Sequence, residues 1–487
     1  MAQSSTSDIV YCKPVSGTCV TVSDFDVQYK ENVCPPKKPP FDPLDDKCFN
    51  DLSALKIHVF YPANQDYNAC KLPAVIIFHG GAYNECGSYD NPPVVAISQK
   101  LAAKGFVVFD VNYRLGVIAD NRKVPVTYEH NPVLKFIAAQ QMLAIYRAIQ
   151  DARGAIRSII AMQNAGNIFG TSARPYQINV NRIFLAGESA GSLVAMSAEF
   201  FGSGLAGQAK IDAVFPNVST TFTTTSGVNL GPIDPTGVYY ADPPTSVSQD
   251  YFGKVIAILN CWGALFTPFS SAYYNDPRSF FEGQGYTLPH VISFAGEKDT
   301  VFDYREQGIY FSPDVPMPFP LGVTSTDFFE TETRCLPHSY TVPDDNGMSG
   351  PAISGITIGS QTIYSMLKNP PHPATETPII SELYLDCQMY HGLDDDCLCH
   401  GLPNLILNKK KTSCIACTYQ SNFGTTATDE DQTYDYITGR AATFFQTIMG
   451  LSTSYITTTR FVECPNDRIT CTGVTSTSCT DTDECPN

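Results

Sequence analysis

The chain has 487 residues, more than one compact domain usually needs, with 43% hydrophobic residues, 16% charged residues and a formal net charge of −17. A sizeable core is therefore within reach. A nucleic-acid or anionic-membrane partner is disfavoured, since both need basic patches, and no stretch nears the roughly 18 continuous apolar residues of a membrane span.

Residues 1–53 form a Cys- and Pro-rich extension. The start, MAQSSTSDIVYC, has no basic region followed by an apolar run, so it does not read as a leader. The 17 cysteines point to an oxidising compartment and to disulfide staples at both ends of the chain: six lie in the first 86 residues and nine between Cys387 and Cys485. Secretion, with a leader already removed, is the expectation. The odd total leaves at least one thiol outside that framework. Asn217-Val218-Ser219 is an N-glycosylation acceptor pattern.

From residue 54 a regular alternation begins. LKIHVFYP (55–62) reads as a hairpin-like strand, and PAVIIFHGG (73–81) as a buried strand entering a glycine loop. VVAISQKLAAKG has helical spacing and ends at Gly105. FVVFDVNYRL (106–115) reads as a second inner strand. The stretch from Val133 to Met162 is helical, with a break expected near Gly154. NRIFLAGES (181–189) is strand and turn, and AGSLVAMSAEF (190–200) is the next helix. Strands follow at 254–265, 290–299 and 380–392, with a last helix at 434–449. This order predicts an α/β fold with a mostly parallel sheet covered by helices on both faces. Three insertions interrupt the domain of residues 54–450. Those at about 205–250 and 305–355 are lid or rim candidates, and that at 393–430 is Cys-rich. Residues 451–487 form a Thr- and Cys-rich appendage.

The chemistry centres on Gly187-Glu188-Ser189-Ala190-Gly191. A serine hydroxyl is a poor nucleophile unless the backbone exposes it and a base lies nearby. A strand, a glycine-flanked serine and a helix form a sharp corner that projects the hydroxyl and brings helix N–H groups beside it. Ser189 is therefore the nucleophile candidate; the competing reading is an ordinary helix N-cap. His79-Gly80-Gly81-Ala82-Tyr83 also follows a strand. Its backbone can supply oxyanion-binding N–H groups from Gly81 and Ala82, with Ala190 as a third. His79 reads as a brace for this loop rather than as the base.

HGGAY, VNYRLG (111–116), QDARGAIRSI (150–159) and NRIFLAGESAG together resemble the α/β-hydrolase superfamily of carboxylesterase and lipase type. The resemblance covers residues 55–300 and resumes at 356–449. It implies about eight strands and a Ser-His-Asp/Glu triad that cleaves carboxylic esters without metal or organic cofactor. It also places the acid after a late strand and the base after the last one. ISFAGEKDTVFDY then offers Asp299, with Asp303 as competitor, and ELYLDCQMYHG offers His391, with His400 as competitor. Glu188 before the serine fits an esterase better than a peptidase.

The implied reaction is acyl transfer to Ser189, with His391 moving the proton and Asp299 orienting the imidazole. Tyr83, Glu188 and Trp262 are candidates for substrate binding, against core packing as the alternative for the aromatics. Cys397, Cys399, His400, Cys414 and Cys417 make a crude zinc-like set, but disulfides explain them better, and no metal is expected. The expected partner is a small-molecule or polymeric ester, not nucleic acid. A lipase, a peptidase or amidase on the same triad, and a catalytically silent binding protein remain as alternative functions.

Overall fold

The computed structural model describes residues 4–10, 55–62, 71–81, 83, 91–114, 132–166, 169–171, 174–214, 231–234, 241, 243–244, 250–268, 287–296, 299, 306–308, 355–368, 379–386, 430–450 and 460–462. In chain order the early elements are β1 (Ser4–Val10), β2 (Lys56–Pro62), β3 (Leu72–Phe78), α1 (Pro92–Ala103), β4 (Val107–Val111) and α2 (Pro132–Asn164). A short hairpin, β5 (Phe169–Thr171) and β6 (Arg174–Tyr176), leads into β7 (Ile178–Glu188), α3 (Ala190–Phe200) and α4 (Gly204–Val214). The second half holds β8 (Val255–Cys261), β9 (Leu265–Pro268), β10 (His290–Gly296), β11 (Glu306–Gly308), β12 (Gly355–Ile358), α5 (Ser360–Lys368), β13 (Ser381–Asp386), α6 (Glu430–Gly450) and β14 (Arg460–Val462).

The main sheet has nine strands in the order β1-β2-β4-β3-β7-β8-β10-β13-β14. β2 runs antiparallel to both its neighbours, and every other pairing is parallel. This mixed, mostly parallel sheet is the architecture that the alternation of elements predicts. It exceeds the expected eight or so strands, because β1 comes from the extension and β14 from the appendage. Neither announces itself: SSTSDIV has almost no apolar residues, and RFV is three residues long.

Alternation along the strands builds two cores, because successive side chains point to opposite faces. Ala74, Ile76 and Phe78 of β3 join the cluster under α2 and α3, with Ile156, Leu193 and Met196. Val75 and Ile77 face the other way, toward Val94, Ile97 and Leu101 of α1 and Ile437 and Phe445 of α6. Helix α2 runs unbroken through Gly154, contrary to the expected break. A single glycine weakens a helix by only about 1 kcal/mol. Burial of Ile149, Ala152, Ala155, Ile156 and Ile159 around it holds the helix together.

Insertion ends are fixed to this frame. Arg157 of α2 grips Asp250 through two bonds of 2.9 Å and reaches Asp234 at 2.7 Å. Arg153 binds Asp234 at 3.0 Å and the Gly202 carbonyl at 2.7 Å. Burial opposes charge on Asp234, but the two guanidinium groups outweigh it and hold the carboxyl below its ordinary range. The 305–355 insertion returns as β12, which pairs antiparallel with both β11 and β9.

Strand order also locates a crevice. From β3 the chain crosses to β4 on one side, whereas from β7 it continues to β8 on the other. β3 and β7 are adjacent, with Phe78 opposite Gly187. Loops leaving their carboxyl ends therefore diverge, and such switch points are where open α/β sheets bind ligands.

Candidate active site

The two glycine-bearing loops read from the sequence leave the sheet at this switch point. Ser189 sits between β7 and α3 at φ 52° and ψ −120°. That region strains a non-glycine residue by about 1–3 kcal/mol and persists only where the surroundings enforce it. Here the Ser189 N–H donates to the Cys261 carbonyl of β8 at 2.9 Å, and the Ser189 carbonyl accepts from Ser192 and Leu193. The Ser192 hydroxyl lies 2.6 Å from the Gly187 carbonyl and 3.1 Å from that of Cys261, and it accepts the Cys261 N–H at 3.0 Å. Ser189 occupies the N-cap position of α3 but makes no side-chain capping bond. The ordinary N-cap reading therefore fails for this serine.

The elbow packs so tightly that only glycine fits. A Cβ on Gly191 would lie 2.0 Å from the Phe78 carbonyl oxygen, and one on Gly187 would lie 2.3 Å from Gly191 backbone atoms. These are backbone neighbours, unable to swing away. Ala190 begins α3, so its N–H has no intrahelical acceptor and stands at the positive end of the helix.

The companion loop is braced from within. The His79 ring is buried, its Nδ1 lies 2.7 Å from the Gly80 carbonyl oxygen, and it stacks on Tyr113 at 4.2 Å. The Tyr113 hydroxyl donates to the His79 carbonyl at 2.6 Å. Gly81 has φ 99° and Tyr83 has φ 61°. Asp151 of α2 fastens the neighbouring strand end, accepting the Arg114 backbone N–H at 2.8 Å and its guanidinium at 2.8–3.0 Å. These residues belong to the VNYRLG and QDARGAIRSI motifs.

Candidate substrate residues fall into two kinds. The Tyr83 and Trp262 rings are buried in the two cores at 0% and 1% exposure, so each acts on the site through packing. Trp262 has φ 52°, and its N–H donates to the Phe294 carbonyl at 2.8 Å. Glu188 lies against the loop: its Oε2 is 2.0 Å from where a Gly80 Cβ would be. Its charge adds to burial in pushing the Cys261 thiol up.

Asp299 lies just past β10 with its N–H bonded to the Gly296 carbonyl at 3.3 Å, and it is buried at 8% exposure. Ala82, Asp303, His391 and His400 lie outside the described residues, as do Cys397, Cys399, Cys414 and Cys417. Among the described residues no group of three or more His, Cys, Asp or Glu could hold a metal ion. No helix there is long and apolar enough to cross a membrane. Cys261, a described cysteine, is buried and outside any disulfide.

No family model matches the chain, and no curated protein matches it. Among solved structures it is similar to a thermophilic esterase from the Planctomycetes species Thermogutta terrifontis with propionate bound. There the identity is 16% over 53% of this chain and 72% of that one, with a TM-score of 0.28. It is also similar to a truncated carbohydrate esterase from gut microbiota, at 15% identity over 51% of this chain and 73% of that one, with a TM-score of 0.25. Likeness at this level assigns neither family nor activity; those rest on the residues of the chain itself.

Proposed function

We propose that the protein is a serine hydrolase that cleaves carboxylic esters through an acyl-enzyme, and that it works outside the cell. The observation that carries this reading is Ser189, held at φ 52° between a parallel strand and a helix without capping that helix. Strain of this kind persists only where the surrounding structure enforces it, and it clusters at active sites. The nine-tenths-buried Asp299, at the carboxyl end of another strand of the same sheet, supports it as the acid.

In this reading His391, reached after β13, takes the Ser189 proton as the hydroxyl attacks the ester carbonyl. The N–H groups of Gly81, Ala82 and Ala190 hold the oxyanion. The protonated imidazole releases the alcohol, Asp299 stabilises that imidazolium, and water activated by the same base clears the acyl group. The cysteine-rich ends support an extracellular setting.

Hydrolysis of p-nitrophenyl acetate, butyrate and palmitate by wild type and Ser189→Ala tests it. Wild type should be faster than the variant by about 10⁴-fold or more, and the chain-length profile separates an esterase from a lipase. Equal rates on all three esters would overturn the reading.

A further inference from the structure

The two halves of the oxyanion site lie on loops from different strands, and the structure shows what holds them in register. We infer that Tyr83 is a positioning residue that latches the Gly81 loop to the first turn of α3. The inference rests on the ester-hydrolase reading and deepens it. The Tyr83 hydroxyl donates to the Ala190 carbonyl at 3.1 Å across 107 residues of sequence. Ala190 is one oxyanion candidate, and Tyr83 stands two residues after Gly81, another.

Three features set Tyr83 apart from an ordinary core tyrosine. Its backbone lies at φ 61°, where a bulky side chain is a rare occupant. Its ring is fully buried, 6.1 Å from Tyr113, whose own hydroxyl holds the other end of the same loop at the His79 carbonyl. Its bond also joins two segments already pressed together: a Cβ added to Gly191 would lie 2.0 Å from the Phe78 carbonyl oxygen and 2.6 Å from that of His79, and one added to Gly80 would lie 2.0 Å from the Glu188 carboxylate. The β3–β7 ladder fixes Phe78 opposite Gly187, and the oxyanion candidates lie beyond that last register pair. A directional bond from Tyr83 to Ala190 ties the two loops there, and oxyanion donors act only when aimed within a few tenths of an ångström. Burial keeps the phenol protonated, so the latch holds over the whole working pH range.

Tyr83→Phe keeps the ring and removes the bond. Tyr146→Phe is the control, because that tyrosine donates a part-buried hydroxyl to the Gly231 carbonyl at 2.9 Å and accepts from the Gln208 amide at 3.3 Å, both partners lying outside the two loops. Tyr83→Phe should lower kcat on p-nitrophenyl butyrate about tenfold with KM within about twofold. It should also speed amide hydrogen exchange in residues 79–83 and 187–194. Tyr146→Phe should melt earlier with kcat intact. An active wild type with full kcat and unchanged exchange in Tyr83→Phe would overturn the latch alone. A wild type no faster than Ser189→Ala would overturn the ester-hydrolase reading, and the catalytic role of Tyr83 with it.

Discussion

The rim of the sheet and the underside of α2 solve opposite problems. At the rim, three non-glycine residues, Tyr83, Ser189 and Trp262, take positive φ at the ends of β3, β7 and β8. Beneath α2 the backbone is regular helix, and the difficulty is charge: Arg153 and Arg157 are buried against Asp234 and Asp250. Strain is concentrated where one hydroxyl must project, and buried charge where a long insertion must be anchored. The comparison teaches that the two regions should fail differently. Damage to the rim should remove activity from a folded protein, and damage to the ion cluster should remove the fold while sparing the chemistry of whatever stays folded.

Among changes that leave Ser189 in place, the largest effect should come from Gly191→Ala. The added methyl group would meet the Phe78 and His79 carbonyl oxygens at 2.0 and 2.6 Å, both at the carboxyl end of the central strand β3. Either β3 or the elbow must shift by about an ångström, which on the proposed mechanism moves Ser189 away from the N–H groups of the Gly81 loop. Esterase activity should fall about 1,000-fold or more while far-ultraviolet circular dichroism stays near wild type. A folded, fully active Gly191→Ala would show that the elbow is looser than its packing indicates.

Arg157→Met should act the other way round. It leaves Asp250 buried without the guanidinium that grips it and Asp234 with Arg153 alone, and breaking a buried pair from one side costs about 3–5 kcal/mol. Urea unfolding should register that loss, and adding Asp250→Asn should recover part of it. Activity per folded molecule should stay within about twofold of wild type, because Arg157 binds Asp234 and Asp250 and, among the described residues, none of the elbow or of the Gly81 loop. A large kcat change at unaltered stability would merge the two regions and undo the distinction between them.

What the sequence made legible divides along the same line. The strand and helix alternation, the GESAG elbow and the HGGAY loop are local patterns, each contained in one strand-loop-helix unit, and they land where the sequence puts them. The family resemblance puts an acid candidate just past a late strand, and Asp299 lies buried there. The ion cluster was not legible: Arg157 and Asp250 are 93 residues apart, and no local pattern links them. β1 escaped because an edge strand needs no apolar run, and its pairing with β2 is purely backbone register. The aromatic residues show a third limit. Tyr83 and Trp262 are aromatic candidates for substrate contact in the sequence, with core packing as the alternative, and both rings are buried in the cores. Residue type alone says nothing of which way a ring faces.

The smallest expected effect tests the sheet between these extremes. His290 opens β10, and its Nδ1 accepts the Ile380 N–H at 2.7 Å, a bond that requires a neutral imidazole nitrogen. Burial pushes its pKa down to about 4, whereas an unfolded histidine titrates near 6.5. Between those values the unfolded chain binds a proton that the folded one refuses, so stability rises with pH. The contribution is fully present above pH 6.5 and is lost as pH falls through 6.5 toward 4. With allowance for partial exposure it amounts to on the order of 2 kcal/mol. Carboxylates titrate at the acid end of the same window, so the readout is the difference between wild type and His290→Gln. From pH 7 through 5.5 to 4 the unfolding free energy of wild type should fall relative to that of the variant, because the variant lacks this proton uptake. A constant gap across that window would mean that His290 gains its proton in the folded sheet as readily as in the unfolded chain, and that this start of β10 is open to water.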